Sequence, residues 1–237
     1  MYSRQIGEQH YTFEASGGLI NASLIMQDRE TDSYWSIMTE TAIHGDASGA
    51  ELEVLPGSVK MTWGEWRSRH PSTKILSVEG REHDPGEGYA RYFASDRGFR
   101  GLSTEDRRLE DKASIYALQY DGNAHAVPHD SFHGGGVVTL GDRQLFLYRE
   151  KDDSFYRSTV ALLAPEGGRF VREGDTWTLA GQQSSDGGSA GDRVSHAFDP
   201  TQRHFEGGGA TPFNGFDTFW YIWSRMHEDT DVSKAAR

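Results

Sequence analysis

Short stretches in which apolar and polar residues alternate, bounded by glycine, aspartate or asparagine, dominate this sequence. Such stretches, rich in β-branched and aromatic residues, predict β-strands. We expect strands at 10–13, 19–26, 115–120, 136–140, 144–148 and 176–179. Asp121-Gly122, Gly141-Asp142 and Gly174-Asp175 fit tight turns that need a positive φ angle. The pattern predicts a mainly β, β-rich α+β protein.

Helical spacing occurs in two places. Residues 62–70 form the first predicted helix, which Pro71 ends because proline disfavours further helix. The second covers 216–227, where four aromatic residues recur at positions i, i+3, i+4 and i+7. The segments 80–108 and 184–215 are rich in Gly, Asp, Arg and Ser and predict extended surface loops.

Both predicted helices carry the same motif. Trp-x-x-Trp-x-x-x-His-x-x-Thr occurs at 63–73 and again at 220–230, and a glycine-led strand pattern precedes each copy at 7–13 and 174–179. We therefore predict an internal duplication, with two related antiparallel strand units, each closed by a short Trp-containing helix. Residues 1–79 would form the first unit, 80–112 an irregular connecting loop and 113–237 the second unit, in one compact body.

Composition excludes several classes of site. None of the 237 residues is cysteine, which excludes disulfides, thiolate metal sites and a cysteine nucleophile. Lys and Arg total 24 against 36 Asp and Glu, a net charge of −12 that argues against nucleic-acid binding. The basic residues are almost all arginine, which fits either a salt-adapted source or a genome rich in arginine codons.

Targeting segments are not evident in the sequence. The N-terminal residues lack the apolar core of a signal peptide, and the longest apolar runs are too short to span a bilayer. We therefore expect a soluble chain with no integral membrane segment, cytoplasmic as given or exported if a leader is missing.

Several segments resemble a known family. The resemblance lies in residues 18–35, which contain Asp-Arg-x-Thr-x-Ser-x-Trp, and in 51–56, 62–76 and 216–223. The chain resembles domain-of-unknown-function family 3179, particularly its arginine-rich members from halophilic archaea. The resemblance implies a preceding half-unit with a Cys-Pro-x-Cys-like segment, which we expect this chain to lack, and a glutamine where Ile37 stands. It implies no reaction, and family members are often exported or membrane-anchored.

A histidine cluster is the first candidate site. His125, His129 and His133 are spaced by four residues, which on a helix would align three imidazoles for Zn²⁺, Cu²⁺ or Ni²⁺. Pro128 argues against a regular helix, so a solvated turn between strands is the alternative. We therefore expect no cofactor, with a divalent metal as the alternative.

The family-like motif is the second candidate site. Arg29 could hold a carboxylate or phosphate beside Trp35; the candidates for catalysis are Asp28, Arg29, Ser36 and His70. Alternatively, residues 28–33 form a β-turn, and the histidines that end the two helices cap free carbonyls. The motif tryptophans would pack each helix onto its sheet or, alternatively, form an aromatic ligand platform.

No phosphate-binding loop, zinc-protease motif or nucleophile elbow occurs in the sequence. The leading hypothesis is therefore a non-catalytic binding or interaction protein. The alternative is a hydrolase or metal-assisted enzyme that uses either the Asp28, Arg29 and His70 region or the histidine cluster. An incomplete first unit would also leave an open sheet edge, so we expect a homo-oligomer or a partner chain there.

Overall fold

The computed structural model describes residues 1–55, 58–76, 89–153, 155, 157–182 and 194–237. Within these ranges, the strands form four four-stranded sheets and one two-stranded hairpin, and the helices are short. The prediction of a mainly β fold is therefore confirmed.

The N-terminal part is an antiparallel meander. A small hairpin of β1 (Gln5–Ile6) and β2 (Gln9–His10) precedes a sheet in the order β3 (Phe13–Ile20), β4 (Ser23–Asp28), β5 (Tyr34–Ser36) and β6 (Thr41–His44). The prediction of one strand over 19–26 is wrong. Asn21 and Ala22 both have positive φ angles, 47° and 65°, and two left-handed residues in succession reverse the chain.

The central part stacks two sheets. β7 (Ser114–Tyr120) pairs with β8 (Asn123–Pro128), and the neighbouring sheet contains β9 (Gly136–Leu140), β10 (Arg143–Tyr148) and β11 (Val160–Leu163). The predicted turns form, with positive φ at Asp121, Gly122 and Gly141. The strand β8 was missed because its small and polar residues gave no clear alternation.

The strand β10 is buried on both faces, as its side chains show. Leu145 and Leu147 pack against the β7–β8 sheet, whereas Phe146 and Tyr148 pack against the aromatic core of the next sheet. Alternate residues of a strand point to opposite faces. The β9–β10–β11 sheet is therefore the middle layer of three.

The third layer contains β12 (Arg169–Glu173), β13 (Thr176–Gln182), β14 (Val194–Asp199) and β15 (His204–Phe205), and β16 (Thr211–Pro212) extends the middle sheet. The prediction of a loop over 184–215 is wrong for residues 194–215, since Phe198 and Phe205 are buried against Phe146 and hold their strands on the core. Residues 184–193 of that prediction lie outside the described residues.

The predicted helix over 216–227 is partly wrong. Its first residues form β17 (Phe216–Phe219), which pairs with β7, and only α3 (Trp220–Trp223) is helical before β18 (Asp231–Val232). The edge of β7 offers backbone partners to the aromatic residues of β17, which suit a strand.

The first predicted helix is confirmed as α1 (Trp63–Arg69), where Thr62 Oγ1 accepts from the N–H of Glu65. The segment 80–112 was expected to be irregular throughout, but it contains the short helix α2 (Ala90–Ala94). Its residues 80–88 lie outside the described ranges.

None of the described helices has both the length and the hydropathy that a transmembrane helix requires.

The two copies of the tryptophan motif have the same local contacts. In each, the second tryptophan donates its indole N–H to the threonine seven residues later at 2.9 Å. The histidine ring packs on that indole, with centroids 4.1 Å apart at His70 and 3.9 Å at His227. Their surroundings differ, because Trp223 is buried against β7 and α1 has no buried residue. The two-unit organisation stays a prediction.

Candidate functional site

Buried charged and polar side chains meet between the first two layers. They are Asp217 on β17, Arg149 at the end of β10, Thr159 before β11 and His129 after β8, and all four are buried. Charged residues are seldom buried unless they are paired, and buried ionisable groups beside a cavity are candidates for function.

Sheet register places Asp217 and His129 on one face. Asp217 lies opposite Tyr116 of β7, which in turn lies opposite Val127 of β8. His129 follows Val127 by two residues, and residues two apart share a face of a strand. The two side chains therefore approach each other diagonally across β7.

The turn that carries His129 is held by the C-terminal residues. Ser131 Oγ donates to the carbonyl of Pro128 at 2.7 Å and accepts from the N–H of Ala235 at 3.2 Å. Arg237 Nε donates to the carbonyl of Ser131 at 3.0 Å. These bonds fix the short 3₁₀ turn over residues 129–131 and thereby the position of the His129 ring.

Asp217 is an ionised carboxylate in a buried position. Thr159 donates to it twice, from its N–H to Oδ2 at 2.9 Å and from its hydroxyl to Oδ1 at 2.5 Å. Burial by itself raises the pKa of Asp217, but the neighbouring His129 and the two bonds from Thr159 outweigh burial and lower the pKa.

His129 presents its two ring nitrogens to different surroundings. Nε2 is buried and lies 3.0 Å from Asp217 Oδ1, although the ring is tilted so that its N–H does not point at the oxygen. The ring itself lines a cavity. A modest rotation of the ring would align Nε2 with the carboxylate and leave Nδ1 available to a bound molecule.

Arg149 supports the carboxylate from the opposite sheet. Its side chain is 2% exposed, and Nη1 lies 3.4 Å from Asp217 Oδ1 and donates to the carbonyl of Arg157 at 2.6 Å. Nη2 donates to the carbonyl of Asp153 at 3.4 Å. Such a buried guanidinium compensates a buried carboxylate, and removal of either member of a buried pair is destabilising.

A cavity of about 620 Å³ opens in front of His129 and is called the His129 pocket below. Its lining includes Ser114, Asp130 and His133. Four basic side chains line it, Arg107, Arg108, Arg149 and Lys234, and three acidic ones, Glu110, Asp130 and Asp153. The whole chain has 24 basic against 36 acidic residues. The pocket is therefore less acidic than the chain as a whole, and three of its cations are paired with carboxylates, Arg107 with Asp111, Arg108 with Asp106 and Arg149 with Asp217.

The predicted histidine cluster is only partly brought together. His129 and His133 line the same pocket, but His125 lies on β8, where Nδ1 is 3.7 Å from Asp231 Oδ2. The segment is a strand and one 3₁₀ turn rather than a helix or a solvated turn. No group of three or more His, Asp or Glu side chains suited to a metal ion occurs among the described residues. The metal site stays a prediction.

The residues of the family-like motif have local contacts of their own. The buried Asp28 accepts from the N–H of Thr31 at 2.6 Å and from the indole N–H of Trp35 at 2.7 Å. Burial raises the pKa of Asp28, but the bonds from Trp35 and Thr31 lower it further than burial raises it. Arg29 pairs with Glu14 at 2.6 Å on the surface.

Of the other two candidates for catalysis, Ser36 directly follows Trp35 on β5, whereas His70 ends α1. Ser36 is buried, with its Oγ accepting from the N–H of Thr39 at 3.2 Å. His70 is exposed and packs on Trp66. No described contact joins Asp28, Ser36 and His70, and their catalytic role stays a prediction.

We expect Asp28→Ala to destabilise the protein and Arg29→Ala to have little effect. The first change removes the acceptor of a buried indole N–H and costs about 2–3 kcal/mol, because hydrogen bonds to a charged group are lost in a dry site. The second removes an exposed ion pair worth less than about 1 kcal/mol. Urea unfolding of both variants measures the difference, and equal losses would contradict the structural role of Asp28.

Two histidines make the stability depend on pH. Burial lowers the pKa of His133, and the positive charges of His129, Arg237 and Arg149 lower it further. Burial also lowers the pKa of His227, although the hydrogen bond to the carbonyl of Met38 acts in the opposite direction. Both rings are neutral in the folded protein at a pH where the unfolded chain takes up protons.

This contribution to stability is therefore complete above the unfolded pKa of about 6.5 and is lost as the pH falls toward the lowered values. We expect the His227→Gln variant to lose less stability than the wild type between about pH 8 and pH 5.5. Urea midpoints at the two pH values test this, and an equal or larger loss in the variant would contradict it.

Sequence reasoning missed Asp217, Arg149 and Thr159. A charged residue directly after the apolar run 145–148 is a weak indication that Arg149 is buried. Nothing in the sequence pairs it with Asp217, because that requires the register of two sheets.

The comparisons with known proteins give a family. The family model described as a protein of unknown function (DUF3179) matches residues 1–230. No curated protein and no solved structure matches the chain significantly.

Proposed function

Because the chain belongs to the DUF3179 family, whose description names no activity, we propose a function from the chemistry of the His129 pocket. The protein binds a small anionic ester there and hydrolyses it, with His129 as the general base. One observation carries this proposal: a buried carboxylate faces one nitrogen of His129, while the ring itself lines the pocket.

The reaction follows from these positions. Nδ1 of His129 takes a proton as a water oxygen attacks the ester, and the proton then passes to the leaving group, so that an acid and an alcohol form. Asp217 stabilises the imidazolium, as a carboxylate does in other histidine pairs. Thr159 and Arg149 keep Asp217 ionised, and Lys234 at the pocket rim attracts the anionic substrate.

The test is hydrolysis of chromogenic carboxylic and phosphoric esters by the purified protein. We expect His129→Gln to lower the rate about a hundredfold or more, since general-base catalysis contributes about 10²–10⁴. His125→Gln is the matched control, because His125 lies on β8 and is not among the pocket residues. Hydrolysis that is unchanged by His129→Gln would contradict the proposal.

A non-catalytic binding protein is the second candidate, which the basic lining of the pocket within an acidic chain supports. In that case small anions bind at His129 without turnover. Saturable binding of inorganic phosphate or acetate by a protein that hydrolyses none of the esters would favour this candidate.

A further inference from the structure

A second cavity lies on the other side of the Arg149 and Asp153 region, between the segment that leads into α1 and the strand β11. Its volume is about 240 Å³. The walls are joined by two hydrogen bonds, from the N–H of Ser158 to the carbonyl of Lys60 at 3.0 Å and from the N–H of Lys60 to Ser158 Oγ at 2.7 Å. We call this cavity the α1–β11 groove.

The charged side chains of the groove are nearly all cationic. Lys60, Arg69, Arg157 and Arg203 line it, with Glu65 as the one acidic residue among the lining residues. Glu65 is shared, since Arg69 and Arg157 both pair with it, at 2.9 Å and 2.8 Å. Asp153, which is not among the lining residues, also pairs with Arg157 at 2.7 Å and with Arg203 at 3.3 Å, so four cations face two carboxylates and a net positive charge remains in a chain of net charge −12.

Arg203 is held loosely for a buried residue. Its side chain is 10% exposed, and Nη2 donates to Asp153 Oδ2 at 3.3 Å, slightly longer than an ordinary bond, and to the carbonyl of Ser158 at 3.2 Å, the upper end of the ordinary range. Nε is buried without an acceptor, as is Nε of Arg157. Burial and the neighbouring charge of Arg157 lower the pKa of Arg203, against the charges of Asp153 and Glu65.

An anionic group would satisfy these donors. A small turn of the Arg203 guanidinium presents Nε and an Nη to one carboxylate, which is the bidentate geometry that arginine favours. An unsatisfied buried donor costs about 1–3 kcal/mol, and a bound carboxylate would remove part of that cost.

The uncharged part of the groove has both polar and apolar walls, and Ser58, Ser158, Thr159, Gln202 and Asn214 are its polar residues. Met61, Val160, Leu162 and Phe213 line it beside the arginines. A ligand that fits both parts has a charged head and a short hydrocarbon body, since ligand pockets combine apolar walls with a few placed polar groups.

We propose that the α1–β11 groove is a binding site for an amphipathic carboxylate, with the head group on Arg203 and Arg157 and the apolar chain along Met61, Leu162 and Phe213. This site is separate from the His129 pocket. Its ligand is an organic acid with a short apolar tail rather than a small polar ester.

The test is a calorimetric titration of the full chain with octanoate, with acetate and octanol as matched probes that lack the tail or the charge. We expect saturable binding of octanoate that is at least tenfold tighter than that of either probe. Arg203→Gln weakens octanoate binding about ten- to a hundredfold, the value of one charged hydrogen bond.

Arg69→Gln is a second variant, because Arg69 is partly exposed and its loss does not threaten folding. We expect it to weaken octanoate binding severalfold, whereas Arg172→Gln, an exposed control on β12, leaves binding unchanged. His129→Gln should also bind octanoate like the wild type, which separates this site from the proposed hydrolase. The proposal is overturned if octanoate does not saturate, or if both groove variants bind it like the wild type.

Discussion

Replacement of Asp217 by alanine is expected to lower the free energy of unfolding by about 3–5 kcal/mol, the cost of breaking a buried ion pair by removing one partner. Arg149 would remain buried without the carboxylate 3.4 Å from its Nη1. Thr159 would lose the acceptor of both its N–H and its hydroxyl. Denaturant unfolding followed by tryptophan fluorescence measures the loss.

Asp231→Ala is the matched control for this change. Asp231 also faces a histidine, but its side chain is 64% exposed and lies 3.7 Å from His125. We expect a change of less than about 0.5 kcal/mol, as for most surface substitutions. A loss for Asp217→Ala as small as the control's would mean that the buried cluster does not hold the two layers together.

The second large effect is expected at the tryptophan motif. Trp223→Ala should cost about 3–5 kcal/mol, since Trp223 is fully buried against β7 and truncation of a large core side chain leaves a cavity. Its counterpart is Trp66, which has the same indole bond and the same histidine contact but lies on the half-exposed α1.

Trp66→Ala is therefore expected to cost only roughly 1–2 kcal/mol, from partial burial and one exposed hydrogen bond. Both variants can be compared by urea unfolding at one pH. Equal losses at the two positions would show that the local motif, rather than its burial, determines stability.

The strands with alternating or continuous apolar residues could be predicted from the sequence, as β7, β9 and β10 show. Prediction failed where tertiary pairing overrode local pattern. The aromatic spacing over 216–227 predicts a helix. Residues 216–219 form a strand instead, because β7 supplies backbone partners along one edge. The strands β14 and β15 have few apolar residues, so their sequence alone does not predict burial. Phe198 and Phe205 are buried because they pack against Phe146 of the middle sheet.

The candidate site was predicted only in part. The histidine cluster drew attention to His129 and His133, and both line the pocket. The partners that give His129 its chemistry come from β10 and β17, at distances along the chain that no spacing rule connects. The predicted partner chain or homo-oligomer at an open sheet edge stays a prediction.

In the proposed mechanism, His129 is positioned for proton transfer, with Asp217 on one side of the ring and the pocket on the other. The most direct measurement is ¹⁵N NMR of the imidazole above about pH 8, where a histidine is ordinarily neutral, with and without inorganic phosphate. We expect the proton on Nε2, toward Asp217, and a change in the chemical shift of Nδ1 when phosphate is added. A proton on Nδ1, or a His129 ring that phosphate leaves unchanged, would contradict it.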